Sequence, residues 1–207
     1  MGSKMNLYLR LMRVLLLSLF RSRLHPKEEA ITRFRVWPHD IDAFGHMNNG
    51  RYLQIMDVAR VDWMRRTRVL DYILKEKCSA LLGGTVIRHC KQLGPFRTYT
   101  VRTSIMAWEE RWVFLKHEFH TKRGELSAVG YTRAAIRQRG DWVNLQSVVD
   151  RIAPGFFSPP ISDMLRQWLA VDDDLVGENS FAHLRSSPEA GKSEAQKQEA
   201  VVTQLRA

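Results

Sequence analysis

Cysteine is nearly missing from this 207-residue chain: Cys78 and Cys90 are the only two, and no C-x-x-C spacing occurs. That excludes a disulfide framework and a thiolate zinc site, and leaves two structural thiols in a reducing compartment as the expectation. Long apolar runs are missing too. The longest uncharged stretch of the N-terminal segment, residues 14–20, falls far short of the roughly 18 to 20 residues that span a bilayer. No small-residue cleavage site follows it, so a secretory signal is not expected. The opening "MGSK" resembles a cloning remnant, and Asn6 stands where a myristoylation pattern requires Ser or Thr. No helix-turn-helix, zinc-finger or aromatic RNA-binding motif occurs, so nucleic-acid binding would rest on charge alone and is not expected.

What is present is an ordinary globular composition, 44% hydrophobic, with a formal charge of +10. The charge is unevenly spread. Residues 1–37 hold eight Lys/Arg against Glu28 and Glu29, whereas residues 172–207 hold seven acids against four bases. The reading is one domain with two extensions: a leader over 1–30, a core domain over 31–153, and a C-terminal extension over 154–207. The leader "MNLYLRLMRVLLLSLFRSRL" predicts an amphipathic helix with Arg10, Arg13, Leu17 and Arg21 along one stripe. Such a helix suits either an anionic membrane surface or docking on protein. "ISDMLRQWL" predicts a short terminal helix, and beyond Asp172 the polar, acidic composition predicts a mobile tail.

Between these ends the pattern is α+β. "ITRFRVW" alternates and predicts a first strand; a helix follows from about residue 50 to 67, with Tyr52, Met56, Ala59 and Trp63 as its buried stripe and Gln54, Asp62 and Arg65 toward water. From Gly83 the period changes to two. "TVIRHCKQL", "TYTVRTSIMAWEE", "RWVFLKHEFHTK" and "LSAVGYTRAAIRQ" predict four strands, and their short connections predict consecutive antiparallel neighbours. "DWVNLQ" is a further candidate to end the sheet. Ala128, Gly130, Thr132 and Ala134 form a small-residue row against which a helix can lie, so the economical assembly is one long helix wrapped by a curved antiparallel sheet.

The chemistry concentrates in "PHDIDAFGHMNNGRYLQIMDVAR", residues 38–60. A helix start exposes unpaired N–H groups and the positive end of the macrodipole. Asn48 and Asn49 are good capping residues, and Gly45 and Gly50 allow a tight turn. An oxyanion held there gains about 3 to 4 kcal/mol per donor, and Asp42 lies close enough in sequence to attack a carbonyl or activate water. Asp40 takes a local turn-stabilising role, His46 a hydrogen-bonding role in the turn, and Asp57–Arg60 an i,i+3 ion pair. On the residues alone, "NNG" and the aspartates also fit a purely structural helix start.

The same stretch resembles the signature of the hotdog-fold acyl-CoA thioesterases of the 4-hydroxybenzoyl-CoA thioesterase family, D-x-D-x-x-G-H-x-N-N-x-x-Y-L followed by an acidic residue and Arg. Asp40, Asp42, Gly45, His46, Asn48, Asn49, Tyr52, Leu53, Asp57 and Arg60 meet every fixed position. The resemblance covers about residues 32–150, and the basic leader resembles one thioesterase-superfamily branch with bacterial relatives. It implies a hotdog fold, hydrolysis of an acyl-CoA to free acid and CoA, and a homodimer or tetramer with each site built between two protomers. It implies Asp42 as the carboxylate, the N–H of Asn49 or Gly50 as carbonyl donor, His46, Gly45 and Asn48 in the turn, and Tyr52 facing the acyl pocket. Family members differ in whether the carboxylate comes from this turn or the central helix, so Asp57 is the reserve catalytic residue. Arg88, Lys91 and Arg97 are candidate CoA-phosphate contacts. No cofactor and no metal are implied, and His117 and His120 fall on opposite faces of one strand. The acyl group reads as medium or long, from the apolar leader and Trp63, Trp108 and Trp112. The alternatives are a non-catalytic acyl-binding or membrane-associated hotdog protein and, ranked lower, a dehydratase using His46 and Asp42. The expected location is cytoplasmic, with peripheral membrane contact through the leader.

Overall fold

A computed structural model describes residues 2–180, the side chains of 7–172 among them. The chain divides into two units, Met1–Ile161 and Ser162–Ala207. The first contains α1 (Gly2–Leu19), β1 (Ala30–Arg35), a 3-10 turn (Pro38–Asp40), α2 (Asn49–Arg66), α3 (Val69–Lys75), β2 (Ser79–His89), β3 (Thr98–Glu109), β4 (Trp112–Thr121), β5 (Leu126–Gln138), β6 (Asp141–Trp142) and α4 (Leu145–Ile152). The second contains α5, Asp163–Ser180, which continues past Asp172 where a mobile tail was expected. The rest of that expected tail lies outside the described residues.

The sheet is antiparallel with order β1-β3-β4-β5-β2, and β6 pairs with β5. Tyr52, Met56, Ala59 and Trp63 of α2 are buried as their spacing predicts, and the small-residue row of β5 takes the helix. Gly130 lies under Met56 so closely that a Cβ there would stand 2.7 Å from its sulfur. This is the long helix and curved sheet of a hotdog domain.

One connection departs from expectation. β2 and β3 are consecutive but not neighbours: β2 pairs with β5 at one edge, and β3 sits beside β1 near the other. Residues 90–97 carry the chain between them, held by backbone bonds that no local spacing announces. Cys90 and Lys91 N–H donate to Ser127 O, Met47 N–H donates to Leu93 O, and Phe96 N–H donates to Val36 O. Two helices were also missed. The seven residues of α3 and eight of α4 are too few to show a 3.6-residue period.

The leader is docked on the domain through one of its faces. Val14 joins the main apolar cluster with Leu7 and Leu11 against it. Arg10 pairs with the fully buried Asp40, and Arg21 donates to Asp62 at 2.9 Å. Two arginines of the predicted basic stripe are therefore spent on buried carboxylates, the outcome that docking on protein implies. Asp62, expected toward water, is buried: Thr32 Oγ1 donates to it at 2.8 Å, and Arg66 stands 3.9 Å away. Charge periodicity cannot reveal this, because a charged residue on a helix goes inside when a partner waits there.

A polar belt crosses the helix-facing side of the sheet. Thr103 Oγ1 and His117 Nδ1 are 3.0 Å apart, and Arg60 Nη2 donates to Thr132 Oγ1 at 3.3 Å. Burial holds the pKa of His117 well below its ordinary 6.5, and the Arg60 charge lowers it further. His117 is neutral when folded and protonates below pH 6.5 when unfolded, so acid favours the unfolded chain. Unfolding free energy should fall as pH drops through 6.5 and keep falling toward the depressed folded value. Denaturant titrations at pH 7.5 and 5.5 will show a smaller loss in His117→Leu than in the wild type.

Candidate active site

Asn48 starts α2, with its side-chain oxygen accepting the Gly50 N–H at 2.9 Å. Of the two donors expected at the helix start, Gly50 is therefore already engaged. The Asn49 N–H has no acceptor among the described residues. It is the one positioned to meet an incoming oxygen.

The turn before it is tightly wound. Gly45 N–H donates to Asp42 O at 3.1 Å, Asp42 N–H donates to His46 O at 3.0 Å, and Gly45 adopts φ +80, a conformation that favours glycine. Asp42 is 18% exposed; its Oδ1 accepts the Phe44 N–H at 2.9 Å, and its Oδ2 lies 3.5 Å from His46 Nδ1. The carboxylate is thus oriented by its own turn, yet Oδ2 takes no hydrogen bond among the described residues and faces the imidazole. Asp40 lies beneath. It accepts from Trp37 N–H at 2.8 Å and from Arg10, stands 3.5 Å from Arg51 Nε, and its backbone oxygen accepts the Asn48 N–H at 2.8 Å. Its role is to anchor the turn from below.

The other sequence-selected residues divide. Tyr52 is buried rather than lining a pocket: its ring packs on Phe119 and His89, and its hydroxyl lies 3.4 Å from Ser127 Oγ, because the first helical turn faces the sheet. Burial raises its pKa. Asp57 forms the expected ion pair with Arg60 at 3.0 Å and is 60% exposed. It lies eight residues along α2 from Asn49, about 12 Å at the helical rise, so within one chain the two carboxylates do not converge.

Gly45, His46, Lys91 and Arg97 do come together. They line one groove of about 670 Å³ with Lys122 and Arg123, which sequence reasoning missed. Four cations face a single carboxylate there, Glu125, whose pKa is lowered by its hydrogen bond from Lys91 at 2.6 Å. The crossing segment 90–97 and the β4–β5 turn supply the two walls, so only the tertiary path could reveal the pairing. Arg88 lies on exposed β2 outside this groove. Among the described residues no cluster of three His, Cys, Asp or Glu side chains could hold a metal ion.

A cap of this geometry has a measurable worth. Asn48→Ala should lower the unfolding free energy by about 1 kcal/mol, read from denaturant titration, with no change in the circular-dichroism spectrum of the folded state.

Residues 36–169 match the model of the thioesterase-like superfamily. The chain is 30% identical over 142 residues to protein THEM6 of Danio rerio, covering 68% of this chain and 69% of that one. Among solved structures it resembles the YbaW probable thioesterase of Escherichia coli, with TM-score 0.56 at 14% identity over 60% of this chain and 96% of that one. It also resembles a DHNA-CoA thioesterase of Staphylococcus aureus, with TM-score 0.53 at 16% identity over 72% and 95%. The chain belongs to the thioesterase-like superfamily, and it is a hotdog-fold thioester hydrolase.

Proposed function

We propose that the protein hydrolyses acyl-CoA thioesters of medium or long chain, with Asp42 as the working carboxylate and the Asn49 N–H as the carbonyl donor. The observation that carries this reading is the pair itself: a half-buried carboxylate held by its own turn, seven residues before an unoccupied amide at a helix N-terminus. Asp42 either attacks the thioester carbon, giving an anhydride that water then hydrolyses, or draws a proton from an attacking water. In both routes the oxygen of the tetrahedral intermediate accepts from the Asn49 N–H at the positive end of the helix dipole, the C–S bond breaks, and the CoA thiolate leaves and is protonated. His46, 3.5 Å from Asp42, orients the carboxylate. The basic groove beside Gly45 and His46 suits the phosphates of CoA, with Lys91, Arg97, Lys122 and Arg123 as contacts.

The working unit in this reading is a homodimer joined through β2. That strand has only β5 as a neighbour among the described residues, and it exposes Leu81, Leu82 and Val86. An open edge of eleven residues invites pairing with a second copy. The family resemblance builds each site between two protomers, which keeps Asp57 as the second carboxylate in this reading.

The reading also places the protein against an anionic membrane surface. No described helix is long and apolar enough to cross a membrane. The face of α1 opposite its docked side exposes Tyr8, Leu9, Met12, Leu16 and Leu19, and Phe20 follows at 88% exposure. Exposed Arg13 and Arg23 flank them. An apolar stripe with basic edges, on a helix already folded onto its domain, fits shallow insertion at the headgroup boundary.

Turnover of a panel of acyl-CoAs, followed by release of free thiol, tests the first claim. Asp42→Asn should lower kcat at least ~100-fold, and Asp57→Asn should lower it less. Equal background rates in Asp42→Asn and wild type would favour the non-catalytic acyl-binding alternative, whereas equal rates above background would move the role to Asp57. For the membrane claim, wild type should float with phosphatidylserine vesicles and lose that ability in Leu9→Glu/Leu16→Glu; flotation unaffected by the double change would rule the helix out as the contact.

A further inference from the structure

A groove of about 450 Å³ runs between the leader and β1. The leader supplies Arg13 and Leu17 of α1 and Arg21 just beyond it, and β1 supplies Ile31 and Arg33. Asp62 is the carboxylate that lines it, and its charge is already met by Arg21 at 2.9 Å and Arg66 at 3.9 Å. The side chains of Arg13 and Arg33 have no hydrogen bond or ion pair among the described residues. Two positive charges, one on each wall, are therefore unmatched in this groove.

The backbone adds a donor. β1 lies at the edge of the sheet and pairs only with β3 among the described residues. The leader marks which of its groups point outward: Ile31 O accepts from Arg21, and Arg35 O accepts from Arg10 at 3.3 Å. Alternate residues of an antiparallel strand turn their backbone groups to the same side. Residue 33, between those two, thus presents its N–H toward the leader.

The groove also opens beside an apolar surface. Leu9, Arg13, Leu16 and Phe20 follow one another along the exposed side of the leader at spacings of four, three and four. Arg13 therefore interrupts the apolar row. A helix lying with this row in the headgroup boundary holds Arg13, and the groove next to it, at the level of the lipid phosphates.

We propose that this groove is a site for the terminal phosphate of a phosphomonoester lipid, with Arg13, Arg33 and the Arg33 N–H as its donors. The proposal rests on the reading of α1 as a membrane contact and names the lipid that the contact selects. A terminal phosphate carries about −1.5 to −2 charges near neutral pH and three acceptor oxygens. That matches two unmatched guanidinium groups and an edge amide, whereas a phosphodiester brings a single charge and fewer free oxygens. Guanidinium groups grip phosphate through paired N–H donors, so the two arginines supply direction as well as attraction. A soluble phosphate gains nothing from Leu9, Leu16 and Phe20, and this makes the occupant a lipid.

Flotation of the full chain with vesicles containing phosphatidic acid or phosphatidylglycerol, matched in surface charge by zeta potential, tests this. The wild type should bind the phosphatidic acid vesicles at least ~10-fold more tightly, the effect of an added charge-assisted hydrogen bond. Arg13→Gln/Arg33→Gln should erase that preference. Lys75→Gln/Lys77→Gln, which removes as much charge from exposed positions at the end of α3, should keep it. A preference that survives the arginine changes, or is lost equally with the lysine changes, would overturn the site. Release from phosphatidic acid vesicles by millimolar inorganic phosphate at constant ionic strength would overturn the lipid as occupant. Equal binding to both lipids by the wild type would sink the site and leave the membrane reading standing; flotation with neither would sink both.

Discussion

A buried carboxylate holds the site region together. Asp40 has no exposed surface, and an unpaired charge there would cost several kcal/mol. It is held from different parts of the chain: its Oδ2 accepts from Arg10 of the leader and from the Trp37 N–H just after β1, while its Oδ1, without a hydrogen bond among the described residues, faces the charge of Arg51 in the first turn of α2 at 3.5 Å. Its own carbonyl then accepts the Asn48 N–H, the capping residue of α2. One side chain thereby couples the leader, the first strand, the turn bearing Asp42 and the start of the long helix. The leader is in this sense part of the folded domain, although its outer face is as apolar as its sequence suggested.

The same logic runs along α2. Asp62 gathers Arg21 and Thr32, so the leader is pinned a second time, about 20 Å of helical rise along α2 from its start at Asn49. Gly130 lets Met56 approach the sheet, and beneath the next turn the belt of Thr132, Arg60, His117 and Thr103 interrupts an otherwise apolar interface. That belt separates the apolar cluster around Tyr52 and Phe119 from the one around Trp108 and Val148. The first cluster supports the turn; the second packs α3 and α4 on β3 and β5.

Much of the site was legible before any coordinates. The D-x-D-x-x-G-H-x-N-N pattern names a tight turn into a helix, and the structure places Gly45 at positive φ and Asn48 as the cap. What the pattern did not distinguish is which amide stays open, because that depends on whether the Asn48 side chain bends back to Gly50. Nor did it show Tyr52 turned into the core, since the family pattern records that a tyrosine is present without saying which way the first helical turn faces. Lys122 and Arg123 escaped notice because they lie in an ordinary polar β-turn, whose position beside Lys91 and Arg97 follows only from the crossing of residues 90–97.

The sequence by itself determined the elements and their faces: the central helix with its buried stripe, four long strands, the small-residue row on β5, and the tight turn that leads into the helix start. Each is a local property, written in periods of two or 3.6 residues and in turn-forming side chains. Tertiary structure decided which strand neighbours which, which charges are buried, and what spaces remain. Those depend on partners twenty to a hundred residues away, so an arginine such as Arg10 or an aspartate such as Asp62 reads as surface until the residue that neutralises it is in place.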